Sequence, residues 1–279
     1  MLKKLQLKID TPDFKCCFSS IMKHKIVLSL GALLTALFIN SCASNGGGGP
    51  LGAAPPRNGE SAMKRMEERP GLATGWGEEK KSELSQGPFT RASSKPAGTD
   101  AIWYNDPKGV EAMTSYKERV SPLQPAAGDL VEWGVKGGIG FLPSYKESGY
   151  GRRLVAGQHD STYSIVVKNR CKSALEIVAS VDGLDVQDGQ PASFSKRGYV
   201  IEPGKTLEIE GFRTSYSRVA AFKFSSVSNS YANMRHGNTR NVGVIGIAVF
   251  TQKNVNPWTW MSDEVNRRDT AQPFAKAPR

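Results

Sequence analysis

Tyr163-Ser164-Ile165-Val166-Val167-Lys168 and Leu175-Glu176-Ile177-Val178-Ala179-Ser180-Val181 decide the fold. In the first stretch Tyr163, Ile165 and Val167 share a face, with Ser164 and Lys168 on the other. In the second, Leu175, Ile177, Ala179 and Val181 stand against Glu176, Ser180 and then Asp182. Side chains of an extended chain alternate between faces, so a period of two with polar partners reads as a half-buried antiparallel strand.

The same texture continues on both sides. Glu202-Pro203-Gly204-Lys205 fits a type II turn, with proline presetting one φ and glycine accepting a positive φ next. Residues 206–212 follow as a strand, Leu207 and Ile209 inward and Glu208 and Glu210 outward, and 219–224 form another. Residues 241–252 are apolar on both faces, which marks a central, covered strand. Upstream, 130–133 reads as a strand and 137–142 as a glycine-softened one. Asp106-Pro107 caps and starts a short helix. Short strands with turn signals about every ten residues predict a mainly β, antiparallel β-sandwich over residues 101–255. A tail, 256–279, follows, with a short helix expected over 262–268.

Residues 42–100 are rich in Gly, Pro, Ser, Ala and charge, and read as a flexible spacer. Trp76 in that stretch is expected to dock onto the folded domain or onto a partner. Before the spacer, Lys23-His24-Lys25 precedes an apolar run from Ile26 to Ile39, then Asn40-Ser41-Cys42. The run is shorter than the ~20 residues a spanning helix needs, and the order is that of a secretory signal. Ile39, Ser41 and Cys42 resemble the lipobox of bacterial lipoproteins, with Asn40 less usual at its place. The resemblance implies cleavage between Ser41 and Cys42, a thioether-linked diacylglycerol on Cys42 and acylation, palmitate included, of the new amino terminus. Residues 1–41 are then a signal peptide with its start at Met22. Ala43-Ser44, with no Asp after Cys42, resembles an outer-membrane sorting pattern. The expected location is the cell envelope, lipid-anchored at the outer membrane and facing the periplasm or the cell surface.

The chain of 279 residues carries a net charge of +11; the signal removes six lysines and two aspartates, leaving +7. A basic balance favours anionic partners such as lipid head groups or envelope polymers, while the compartment excludes nucleic acid. Of the four cysteines, Cys42 and Cys171 remain after cleavage, and Cys42 carries lipid, so no intramolecular disulfide is expected. Cys171 is a half-buried turn residue, an intermolecular bridge or a reactive thiol. Only His159 and His236 accompany it, so a Cys/His metal centre is poorly supplied. The covalent lipid is the one expected cofactor.

Within 162–251, four stretches resemble an uncharacterised group of bacterial envelope proteins: Val181-Asp182-Gly183-Leu184-Asp185, Lys196-Arg197-Gly198-Tyr199, Ile209-Glu210-Gly211-Phe212-Arg213 and Asn241-Val242-Gly243-Val244-Ile245-Gly246. That resemblance implies a folded extracytoplasmic domain and no chemistry.

Asp182, Asp185 and Asp188 could offer oxygens to calcium, yet the D-x-[DN]-x-[DN]-G loop is absent and Asp-Gly is ordinary turn chemistry. No metal is therefore expected. His159-Asp160-Ser161 holds the side chains of a hydrolase triad, but adjacent residues cannot converge as one. Neither Gly-x-Ser-x-Gly nor a phosphate-cradling glycine loop occurs, so no catalytic residue is assigned. Arg213, Tyr216, Arg218, Tyr231, Arg235 and Arg240 have the composition of a binding surface, on a segment that includes the long polar stretch 225–240. The expected function is non-catalytic binding of an envelope protein or anionic envelope polymer, or scaffolding. Two alternatives stand beside it: an accessory subunit of a surface assembly docked through Trp76, Trp258 and Trp260, and a glycan hydrolase drawing on Glu202, Glu208, Glu210 and Asp185.

Overall fold

The computed structural model describes residues 52–56, 69–84, 87–114, 118–147, 149–258 and 267–273. Ser41, Cys42, the start at Met22, Trp260 and most of the helix expected over 262–268 lie outside them. In chain order the elements are β1 (Leu72–Lys81), β2 (Gly98–Asn105), α1 (Pro107–Thr114), β3 (Arg119–Val120), β4 (Gln124–Ala126), β5 (Val131–Lys136), β6 (Ser144–Lys146) and β7 (Arg153–Ala156). Then come β8 (Thr162–Asn169), β9 (Leu175–Val181), β10 (Leu184–Asp185), β11 (Tyr199–Ile201), β12 (Thr206–Ile209), β13 (Gly211–Ser215), β14 (Arg218–Ser226), α2 (Tyr231–His236) and β15 (Val244–Thr251).

Two sheets face each other as a β-sandwich. The first runs β1-β14-β8-β5-β4, with β12 on β8 and β13 on β14; the second runs β10-β9-β15-β2-β7-β6-β3, with β11 on β9. The alternation read in β8 and β9 is the one that fills the core: Tyr163, Ile165 and Val167 meet Ile177, Ala179 and Val181 in one buried cluster. Trp133, Phe212, Phe222 and Phe224 complete it, and Tyr163 stacks on Phe224 at 4.4 Å between ring centres. β15 is central, between β9 and β2, as its apolar faces predict. One pair, β2 with β7, is parallel.

The domain does not begin at residue 101. β1 pairs with β14 from Leu72↔Ser226 to Lys81↔Arg218, and Trp76 stacks inside on Phe212 and Tyr231. The expected spacer therefore ends far earlier, and Trp76, partly buried, packs against the core, the first of its two expected places. Its glycines misled: a Cβ at Gly77 would lie 2.5 Å from the Ala221 carbonyl oxygen, so glycine is what lets this strand approach β14. Residues 52–56 are also bound to the domain, through Ala53 N–H to the Arg213 carbonyl and Tyr231 O–H to the Ala54 carbonyl (2.7 Å).

Two further expectations change. Residues 137–142 are no strand but a hairpin tip beyond β5. The polar stretch 225–240 is not all loop. Ser230 caps α2 by accepting from Asn233 N–H, and Gly237 closes it in the left-handed conformation.

Candidate functional site

The Arg/Tyr set does not form one surface. Arg213 is buried, donating to the carbonyls of Ser82, Ser215 and Tyr216 and to the Tyr199 hydroxyl, so it clamps the β13–β14 turn to the end of β1. Tyr231 is buried against Trp76 and Phe212. Arg218 is exposed and paired with Glu79 at 2.7 Å. Tyr216 and Arg240 are exposed, and Arg235 is half-buried at the end of α2. Folding consumes the two residues that would have anchored a ligand.

The three aspartates also separate. Asp182 is buried and held by three donors: the Tyr104 hydroxyl (2.6 Å), Gly243 N–H (2.9 Å) and Thr74 N–H (2.8 Å). Because Tyr104 spends its proton on Asp182, the Thr74 hydroxyl donates to Tyr104 (2.7 Å) and the Tyr163 hydroxyl donates to Thr74 (2.6 Å). This one-way chain crosses from the first sheet to the second. Burial pushes the Asp182 carboxyl up to about 6, against the pull of these donors. Asp185 accepts from Gln187 N–H in its own turn and is likewise pushed to about 6 by burial. Asp188 pairs with Lys196 instead. Among the described residues no group of three His, Cys, Asp or Glu converges on a metal-sized space.

The other candidates have structural partners. Cys171 is buried, its thiol pushed up to about 11 by burial, and it lies 3.4 Å from the Leu130 carbonyl. His159 leans on Asp160 at 2.9 Å, and Ser161 donates to the Gln158 carbonyl rather than to either. Glu208 accepts from Ser164 and Lys136; against a burial penalty, these hold its carboxyl below the ordinary range.

What the fold does build is a trough on the outer face of the second sheet. Ala101, Gly246 and Ser180 lie in register across β2, β15 and β9, and Thr99, Ala248 and Val178 form the next row. Most inward positions on these strands are large, Ile102, Ile177, Ile245 and Ile247 among them; the outward row through Gly246 is small, so the surface sinks there. The open volume is about 510 Å³, within the usual span of small-ligand sites. Phe194, half exposed, stands at its side; Asp100, in register with inward Ile247, turns its carboxylate away from the trough to the buried Trp133.

Second-layer contacts fix those two groups. Asp100 accepts from the Trp133 indole N–H at 2.6 Å, with Arg153 at 3.7 Å behind it. Arg91 bonds the Phe194 and Lys196 carbonyls, lies 3.6 Å over the Phe250 ring and pairs with the fully buried Glu176 at 2.6 Å. The strap carrying Arg91 and Phe89 thus covers one end of the apolar outer face and leaves the trough open. The Ser180 and Thr99 hydroxyls border the trough. Sequence reasoning missed this site, although outward Gly246 and Ala248 in the most apolar strand were its signal.

Comparison with protein families, with curated proteins and with solved structures finds no match to this chain.

Proposed function

We propose that this chain is a lipid-anchored cell-envelope protein whose β-sandwich is a non-catalytic binding module, and that the trough holds a neutral saccharide unit of an envelope polymer. The trough carries the reading. Its floor is apolar, and its edge offers the hydroxyls of Thr99 and Ser180. A sugar ring has the matching form, an apolar C–H face with hydroxyls at its rim. Phe194 supplies an exposed aromatic face for stacking. Among the described residues no lysine or arginine lines the trough, which argues against phosphate or other anionic ligands here, so we favour a neutral polymer over the anionic one expected from net charge.

The anchor at Cys42 rests on the signal, and mass spectrometry of the mature amino terminus tests it. The trough is tested by equilibrium binding of neutral oligosaccharides cut from envelope polymers, with the parent chain and Gly246→Leu compared. A Cβ at Gly246 meets only the rotatable Ser180 hydroxyl, at 2.9 Å, so this substitution fills the trough while the sheet stands. Saturable binding by the parent and its loss in Gly246→Leu is the expected outcome. Equal binding by both removes the reading.

A further inference from the structure

The tip beyond β5 breaks the rules of its own geometry. Lys136 pairs with Phe141, Gly137 N–H donates to the Gly140 carbonyl (2.7 Å) and Leu142 N–H to the Val135 carbonyl (2.9 Å), so the reversal is ordered and Gly138-Ile139 forms its apex. Turn apices are filled by Asn, Asp, Gly or Ser, which suit the backbone and water. Here Ile139 is fully exposed, at 107%, and Phe141 is exposed beside it at 37%. Gly138 and Gly140 have open space where a Cβ would go and neither has positive φ. The fold does not require glycine at either, and their effect is to thin the tip around the isoleucine. Behind it, Leu142, Pro143, Tyr145 and Pro107 line an open, mostly apolar bowl of about 620 Å³.

We propose that this tip is a bilayer-docking element, inserting Ile139 and Phe141 among lipid head groups and upper acyl chains. Charge supports a lipid surface as the occupant. No charged residue occurs from Gly137 to Tyr145, and the lysines that bracket the stretch are already paired, Lys136 with Glu208 at 3.0 Å and Lys146 with Glu118 at 3.6 Å. An apolar, uncharged tip with an aromatic matches the polarity profile of the region where head groups give way to acyl chains. Tether length supports the same occupant. Gly52 lies ten residues after Cys42, and Ala53 and Ala54 are already bonded to the domain. Ten residues span at most about 35 Å fully extended, so an acyl group on Cys42 would keep the domain beside the bilayer. That second argument rests on the lipoprotein reading; the first does not.

The test uses the full chain with Cys42→Ser, which carries no acyl group, and vesicles of phosphatidylethanolamine and phosphatidylglycerol. The parent of this pair should co-sediment with the vesicles, and adding Ile139→Asp should weaken partition about tenfold or more, the scale of removing one large apolar side chain from a lipid phase. Thermal unfolding of the two chains should coincide, because Ile139 touches no core. In a separate chain, tryptophan at the tip (Ile139→Trp) should be quenched by brominated phospholipid beyond the quenching of the native tryptophans. Equal partition with and without Ile139→Asp, or no added quenching of Ile139→Trp, overturns the proposal. Because the test chain lacks the acyl site, a failure of the tether reading leaves this result standing, and the reverse also holds.

Discussion

At the residue scale, Asp182 shows how a motif acquires its role from the fold. In the sequence it is one of three aspartates spaced by three; in the structure it is the acceptor at the end of a hydrogen-bonded chain joining both sheets. Asp182→Ala leaves three buried donors without this acceptor, and should cost about 3 kcal/mol or more in denaturant unfolding. Asp188→Ala loses a partly exposed ion pair with Lys196 and should cost under about 1 kcal/mol. The pH dependence follows from burial. The Asp182 and Asp185 carboxyls are raised to about 6 in the fold, so below that pH the folded state binds protons that the unfolded state does not. Their contribution is fully present below the ordinary carboxylate range and is lost as pH rises through about 6. Thermal stability should therefore increase as pH falls from about 7 to about 5, by about 1 kcal/mol per group, and Asp185→Asn should flatten part of that slope. A midpoint independent of pH across this window would contradict the assignment.

At the element scale, what could be read from the chain depended on how strongly local pattern dictated structure. β8, β9, β12, β14 and β15 alternate or are continuously apolar, and each forms where expected. Asp106-Pro107 starts α1 with Gly109 N–H on the Asp106 carboxylate at 2.7 Å, and Gly204 takes its positive φ of 68° in the turn before β12. β1 was hidden because its pattern is broken by glycine: Gly77 is there for the close approach of Ala221, a tertiary demand with no local trace. α2 was overlooked although Ser230 and Gly237 frame it, because it is short and polar on one side. The failure of the Arg/Tyr site has a similar cause. Composition marks residues able to bind, but only packing decides that Arg213 and Tyr231 are spent inside. Gly77→Ala tests the place of β1. Its methyl group meets backbone at 2.5 Å, so the substitution should destabilise the whole domain by about 2–3 kcal/mol, measured by calorimetry. A change confined to local proteolysis near residue 77, with the domain's unfolding unaltered, would show that β1 is peripheral.

At the scale of the whole molecule, the two outer faces of the sandwich differ. The first sheet carries exposed ion pairs, Lys80–Glu210, Lys136–Glu208 and Arg170–Glu132, which suit a face in water and add little stability. The second sheet is apolar outside, partly covered by the strap of Phe89 and Arg91 and open at the trough. Exposed apolar surface of this kind marks a place of contact. The proposed leash, the proposed docking tip and the open trough together fit the reading of a module held near a membrane while it grips a polymer. The measurement that tests the trough most directly is an amide-resolved NMR titration of the parent chain with neutral envelope-derived oligosaccharides. Shifts concentrated at Ala101, Ser180, Phe194 and Gly246, and abolished by Gly246→Leu, are the predicted result. Shifts centred elsewhere, or unchanged in Gly246→Leu, would contradict the account.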